Sequence, residues 1–280
     1  MDETLKRAIS GAVYVLLLLA SILYSTESFL ILFGIFLIIS IYEFCNLVQV
    51  NKTIPLISGT SIYVLIILIS NYYNLKAEDI QLLDIVLLAI TLLISIKCVV
   101  FLFDNSLQKI SNSSKYIYLL GYITLPFIFI TKISFGIKNY NPKIIIGLLI
   151  LIWTNDTFAY IVGKSIGKHK LFEKISPKKT IEGFFGGLIF AIFAGYLISM
   201  YLIKPSTQFS DKSILIWMII AAIVGVMGTI GDLIESKFKR MAGVKDSGNI
   251  LPGHGGFFDR FDSLLLAGPC VWLLLTLFTQ

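Results

Sequence analysis

Between Ser236 and Asp262 the chain reads SKFKRMAGVKDSGNILPGHGGFFDRFD, a polar stretch set between two apolar runs long enough to span a bilayer. The cations Lys237, Lys239, Arg240, Lys245 and Arg260 alternate there with the carboxylates Asp246, Asp259 and Asp262. Cations of this kind suit phosphate, and carboxylates suit a hard divalent metal ion. Gly248, Gly253, Gly255 and Gly256 let backbone N–H groups approach an anion closely. These residue types in this order predict metal-assisted chemistry on a polyphosphate, carried out at a membrane surface.

Neighbouring residues extend the pattern. Asp232, Glu235, Ser236 and Lys239 share one face if their helix continues to Lys239. Asp259 and Asp262, three apart, are expected to face together at the start of the last helix, opposed by Asp232 in a hard-cation site. The plainer alternative for Asp259, Arg260 and Asp262 is a local ion-pair cluster at a helix N-terminus. Asp156 sits inside the apolar run LLILIWTNDTFAYIVG, where a carboxylate costs ~2.5–3.5 kcal/mol on insertion scales. It reads as a metal- or substrate-site residue with Asn155 beside it, or else as a helix-end aspartate reaching for water. The loop Gly163–Gly183 holds Ser176-Pro177-Lys178-Lys179-Thr180, whose adjacent lysines and hydroxyls suit phosphate or anionic lipid headgroups. An ordinary basic loop that sets topology would look similar.

Other polar residues say less. His254, between Gly253 and Gly255, suits a hydrogen bond to phosphate or loop packing, with no histidine or cysteine close in sequence to share a metal. His169 reads as a solvated loop residue, and Lys97 as a side chain that snorkels. Glu43 is costly where it lies but has no role that its sequence context reveals. Cys45, Cys98 and Cys270 stand singly in separate apolar runs and read as small packing residues.

The elements that position these residues are membrane helices. The chain is 56% hydrophobic and 14% charged, with mean hydropathy +0.86, which excludes a water-soluble domain of this size. The net charge of +6 does not point to nucleic acid, because most of the basic residues lie in loops between apolar runs. Lys6 and Arg7 precede a long apolar run without a small-residue cleavage site, so this segment reads as a retained first helix.

The expected fold is all-α and polytopic, with about nine transmembrane helices. The spans are Ile9–Tyr24, Phe29–Val48, Pro55–Ser70, Leu82–Phe103, Tyr116–Lys132, Ile144–Val162, Gly183–Ile203, Ser213–Gly231 and Ser263–Phe278. Residues 1–140 form an N-terminal region of five spans, and residues 141–280 a catalytic region of four spans and two motif loops. With the N-terminus inside, the inner loops hold 16 basic residues and the outer loops 6. That asymmetry predicts N-inside, C-outside topology. It gathers Asn155, Asp156, Asp232, Glu235, Ser236, Asp259 and Asp262 in one layer on the cytoplasmic side, where nucleotides are available.

The segment resembles the phosphatidate cytidylyltransferase family, also called CDP-diacylglycerol synthases. The family's elements stand here as Ser236, Lys239-Arg240, Lys245-Asp246, Gly248, Pro252, His254-Gly255-Gly256 and Asp259-Arg260-Phe261-Asp262. The likeness extends to Asn155-Asp156, Ser176-Pro177-Lys178-Lys179-Thr180, Glu182-Gly183 and Gly231-Asp232, and covers the C-terminal half. It implies that phosphatidic acid and CTP give CDP-diacylglycerol and pyrophosphate with Mg²⁺, in a bacterial inner membrane with the site facing the cytoplasm. The lipid phosphate is already anionic, so no nucleophile-activating triad is needed, and what matters is charge neutralisation and leaving-group stabilisation.

Residues and resemblance together assign catalysis to Asp232, Lys239, Asp259 and Asp262, and metal binding to Asp156, Asp232, Asp259 and Asp262. Substrate binding falls to Ser176, Lys178, Lys179, Ser236, Arg240, Lys245, His254 and Arg260. The partners implied are CTP, phosphatidic acid and membrane lipids, without nucleic acid, and a homodimer is left open. A CTP-dependent lipid kinase, which would release CDP, and a cation transporter using the intramembrane carboxylates are the competing classes. Single cysteines at Ser165 and Ser247 are expected to react with an impermeant thiol reagent only from the cytoplasmic side. Labelling of both from the outside alone would reverse the topology.

Overall fold

A computed structural model of the chain describes residues 3–71, 77–104, 110–135, 140–203, 213–250 and 255–279. Among these residues the helices are α1 (Glu3–Tyr24), α2 (Thr26–Val48), α3 (Thr53–Asn71), α4 (Ala77–Phe103) and α5 (Asn112–Ile133). They continue as α6 (Pro142–Ile166), α7 (Ile181–Ile203), α8 (Ser213–Met241) and α9 (Asp262–Thr279). Helices α5 and α7 each contain a π-helical stretch, at Leu119–Thr124 and Ile198–Ile203. Eight described helices are long and apolar enough to cross a membrane, and the ninth is a shorter apolar helix. The chain is therefore an all-α integral membrane protein.

Local chemistry sets the helix ends. Ser25 and Ser28 form a reciprocal capping box at the start of α2, and Gln49 ends that helix with φ 55°. Helix α3 starts at Thr53, ahead of the expected Pro55, because Asn51 Oδ1 accepts from the Thr53 N–H at 3.0 Å. Proline in a first turn gives up only an amide that would lack a helical partner anyway. Asn141 caps α6, where Pro142 is the first residue. One element departs from the sequence reading. The loop between α6 and α7 folds as an antiparallel hairpin of β1 (Lys170–Phe172) and β2 (Ser176–Thr180), with Lys170 opposite Thr180. Its lysine-rich strands show no alternation of apolar and polar residues, so period-2 patterning does not announce them.

The chain forms two compact units that are not continuous in sequence. The first comprises Met1–Thr131 and Lys237–Phe261, the second Lys132–Ser236 and Asp262–Gln280.

In the first unit α2 is lined with buried aromatic rings that receive those of the polar segment. Phe36 meets Phe257 at a centroid distance of 4.3 Å, Phe33 meets Phe261 at 5.9 Å, and Phe44 meets Phe238 at 5.0 Å and Phe258 at 5.9 Å. Between helices in lipid, packing of this kind and hydrogen bonds replace the hydrophobic drive. Lys237, read above as a phosphate cation, is instead 2% exposed. Its Nζ donates to the carbonyls of Phe101 and Asp104 and lies 4.3 Å from the Phe101 ring centroid. A cation at the C-terminal carbonyls of α4 satisfies groups that the helix leaves open. Lys97 Nζ reaches Ser114 Oγ at 3.4 Å.

In the second unit α6 and α7 approach through small residues. A Cβ at Gly187 would lie 2.6 Å from the Asn155 carbonyl oxygen and 3.0 Å from Ala159 Cβ, so only glycine permits this crossing. Helix α8 has 29 residues. That is about 43 Å of helix against ~30 Å of hydrocarbon, more than one crossing needs.

Candidate active site

In the second unit the carboxylates of Asp232, Glu235 and Asp262 each offer an oxygen within 4.8 Å of the others. Asp232 and Glu235 lie three apart on α8, and Asp262 opens α9. Ser236 Oγ donates to Asp232 Oδ1 at 3.2 Å, and the Ser263 N–H donates to Asp262 Oδ1 at 2.6 Å. Lys179 Nζ forms an ion pair with Asp232. Asp156 and Lys179 are near enough for their charges to act on Asp262. Asn155 Nδ2 donates to Asp156 Oδ1 at 3.3 Å. Glu235 is fully buried and had no assigned role, although its three-residue spacing from Asp232 was the available signal. A donor set made only of carboxylate oxygens fits a hard cation such as Mg²⁺ and not a soft one.

The hairpin sets Lys179 against Asp232. Successive strand residues point to opposite faces, so Lys178 is exposed while Lys179 turns inward to the carboxylate. Two caps hold the strands to α7. Thr180 Oγ1 accepts from the Gly183 N–H at 3.1 Å. Glu182 accepts from the N–H groups of Lys168 at 3.0 Å and His169 at 3.2 Å, and lies 2.7 Å from His169 Nδ1. His169 is thus exposed, as expected, but tied to the start of α7. Ser176 is half-buried on β2.

The first unit holds a different cluster. Lys239 Nζ pairs with Asp259 Oδ1 at 2.8 Å, and their side chains are 11% and 8% exposed. Asp259 also accepts from the Gly256 N–H at 2.8 Å and the Ser247 N–H at 3.2 Å. Asp259 and Asp262, expected together at the start of the last helix, are not both part of it. Asp259 belongs to a 3-10 turn, Phe258–Arg260, and α9 begins only at Asp262. Asp259 has its oxygens turned to a lysine and to loop amides within its own unit. Arg240, Lys245 and Arg260 are exposed, and Arg240 Nη1 donates to the Val244 carbonyl at 3.2 Å. His254 and Pro252 lie outside the described residues. Ser247 is buried, so a cysteine at exposed Asn249 is the better topology reporter.

Comparison with known proteins adds an independent line. The family model described as the cytidylyltransferase family matches residues 5–278. The chain is 32% identical over 289 aligned positions to a phosphatidate cytidylyltransferase of Bacillus subtilis, covering 100% of each chain. It is 43% identical over 140 residues to one of Staphylococcus epidermidis, 49% of this chain and 51% of that one. It is 46% identical over 128 residues to one of Staphylococcus haemolyticus, covering 45% and 46% respectively.

The Lys239–Asp259 pair predicts strong coupling. Lys239→Met leaves a nearly buried carboxylate without its cation and is expected to cost about 3 kcal/mol in unfolding by SDS titration of mixed micelles. The double variant Lys239→Met/Asp259→Asn removes that stranded charge and should be more stable than Lys239→Met alone. With Asp259→Asn measured alone, a double-variant loss equal to the sum of the two single losses would show that the pair is not coupled.

Proposed function

The chain belongs to the cytidylyltransferase family, and on that premise we infer that it transfers the CMP moiety of CTP to phosphatidic acid, giving CDP-diacylglycerol and pyrophosphate. The observation that carries this reading is similarity along the whole chain to a protein of that activity. An oxygen of the lipid phosphate monoester attacks the α-phosphorus of CTP, and the bond from that phosphorus to the β-phosphate oxygen breaks. Pyrophosphate departs with the electron pair. Nucleophile and nucleotide are both anions, so the protein's task is to bring like charges together and to stabilise the charge that develops on the leaving group.

The charged clusters support specific roles. Asp232 and Asp262, with Glu235 and with Asp156 nearby, would hold Mg²⁺. When bound, that ion supplies neutralisation of phosphate oxygens and orientation of the polyphosphate. Lys179, held at Asp232, adds a fixed positive charge beside the carboxylates, and Ser236 fixes the rotamer of Asp232. Lys178, Arg240, Lys245 and Arg260 are exposed and suit the phosphates of CTP and the lipid, with Ser176 and His254 as further donors. Lys239 and Asp259 act as a pair, the lysine lending charge and the aspartate fixing its direction. The basic asymmetry of the loops supports a cytoplasmic face for these groups, and the relatives' bacterial sources support a plasma-membrane location.

Purified protein given phosphatidic acid, labelled CTP and Mg²⁺ should yield a CDP-lipid and pyrophosphate. A phosphorylated lipid alcohol with release of CDP would overturn the assignment. Asp262→Asn keeps the side chain's size and is expected to lower turnover about 100-fold, equivalent to ~2.7 kcal/mol of transition-state stabilisation. Part of that loss should return at higher Mg²⁺. Near-normal turnover of this variant at low Mg²⁺ would move the metal to other ligands.

A further inference from the structure

Glu43 sits on α2 in the apolar run IYEFCNLV and is 1% exposed. A carboxylate so placed is tolerated only with internal partners. Oε1 accepts from the Phe257 N–H at 3.0 Å. Oε2 accepts from the Phe258 N–H at 2.7 Å and from Ser247 Oγ at 3.0 Å. Phe257 and Phe258 open the 3-10 turn that contains Asp259 and Arg260, and amides at the start of such a turn have no partner within it. Glu43 caps that turn from more than 200 residues away.

Two carboxylates divide one set of donors. Ser247 gives its N–H to Asp259 and its hydroxyl to Glu43. Gly256 gives its N–H to Asp259, while the next two amides turn to Glu43. The approach is close. A Cβ at Gly256 would lie 2.6 Å from the Gly248 nitrogen and 2.8 Å from Glu43 Oε2. The rings of Phe257 and Phe258 rest on Phe36 and Phe44, on either side of Glu43 along α2.

We propose that Glu43 is a positioning residue for the transfer reaction. Fastened to Ser247, Phe257 and Phe258, it holds the turn in the orientation that pairs Asp259 with Lys239 and presents Arg260. The role rests on the functional reading above, and Glu43 itself touches no reacting group. Both carboxylate oxygens are needed. A glutamine has one acceptor oxygen and one donor amide, so an N–H of the turn would face another N–H.

Glu43→Gln, purified in detergent, is expected to show kcat reduced about tenfold or more, with KM for CTP within about twofold of the parent. Of the exposed cations that suit CTP, Lys178, Arg240 and Lys245 lie outside the clasped turn, so most of the binding should persist. Amide exchange at Phe257 and Phe258 should quicken by about tenfold, while exchange within α2 and α8 stays unchanged. Glu43→Asp, which keeps both oxygens, should recover part of kcat where Glu43→Ala does not. A merely structural residue would lower the yield of folded protein and leave kcat per folded molecule intact, and that result overturns the proposal. Unchanged exchange at Phe257 and Phe258 overturns it too. Should Glu43→Gln fail to insert, Ser247→Ala removes a single bond of the clasp and must shift kcat and exchange in the same directions. If the parent protein makes no CDP-lipid, the activity assignment fails, while the exchange measurement still decides whether Glu43 holds the turn.

Discussion

A carboxylate inside or beside an apolar span is stable only where the protein supplies the partners that water would have given it. The charged clusters within each unit are organised around that constraint. Glu43 collects two amides and a hydroxyl, Asp259 a lysine and two amides, and Asp232 a lysine and a serine. Most of these donors are backbone N–H groups or short side chains, which fix a carboxylate more tightly than long flexible ones can. Loop, hairpin and helix ends are therefore held by the charges that they carry.

Such pairing suits a reaction between two anions. Groups already oriented need not reorganise when charge moves onto the leaving group, which is where preorganised electrostatics gains over water. The structure separates the cations into two kinds. Lys179 and Lys239 are locked to aspartates and partly buried, whereas Lys178, Arg240, Lys245 and Arg260 remain exposed. Locked cations define a field, and exposed ones can meet a phosphate that arrives from solution or from the bilayer surface. Lys237 belongs to neither kind, since the carbonyls at the end of α4 claim it.

Small structural devices carry much of this arrangement. The short hairpin turns adjacent lysines to opposite faces, which one helical turn would not do. Its attachment to α7 depends on Thr180 and Glu182 at the helix start, where open amides favour oxygen acceptors. Phe257, Phe258 and Phe261 anchor the Asp259 turn in the aromatic rings of the first unit.

The membrane class, the helix positions and the chemistry of the Ser236–Asp262 segment were legible in the amino-acid order, because hydropathy and i, i+3, i+4 spacing are local properties. The shared face of Asp232, Glu235 and Ser236 is of this kind. Phosphate-suited cations beside metal-suited carboxylates also needed no coordinates to be noticed. Only the tertiary structure placed Asp259 in a 3-10 turn ahead of the last helix, where its oxygens meet Lys239 and Ser247, 20 and 12 residues away. It alone revealed the hairpin from Lys170 to Thr180, since the strands are held by caps from Glu182 and Thr180 and not by an alternating pattern. It alone gave Glu43 a partner, because hydrogen bonds spanning 204 to 215 residues leave no periodic trace in a single chain. Local spacing is written along the sequence, whereas the partner of a buried charge is chosen by whichever distant backbone the packing brings to it.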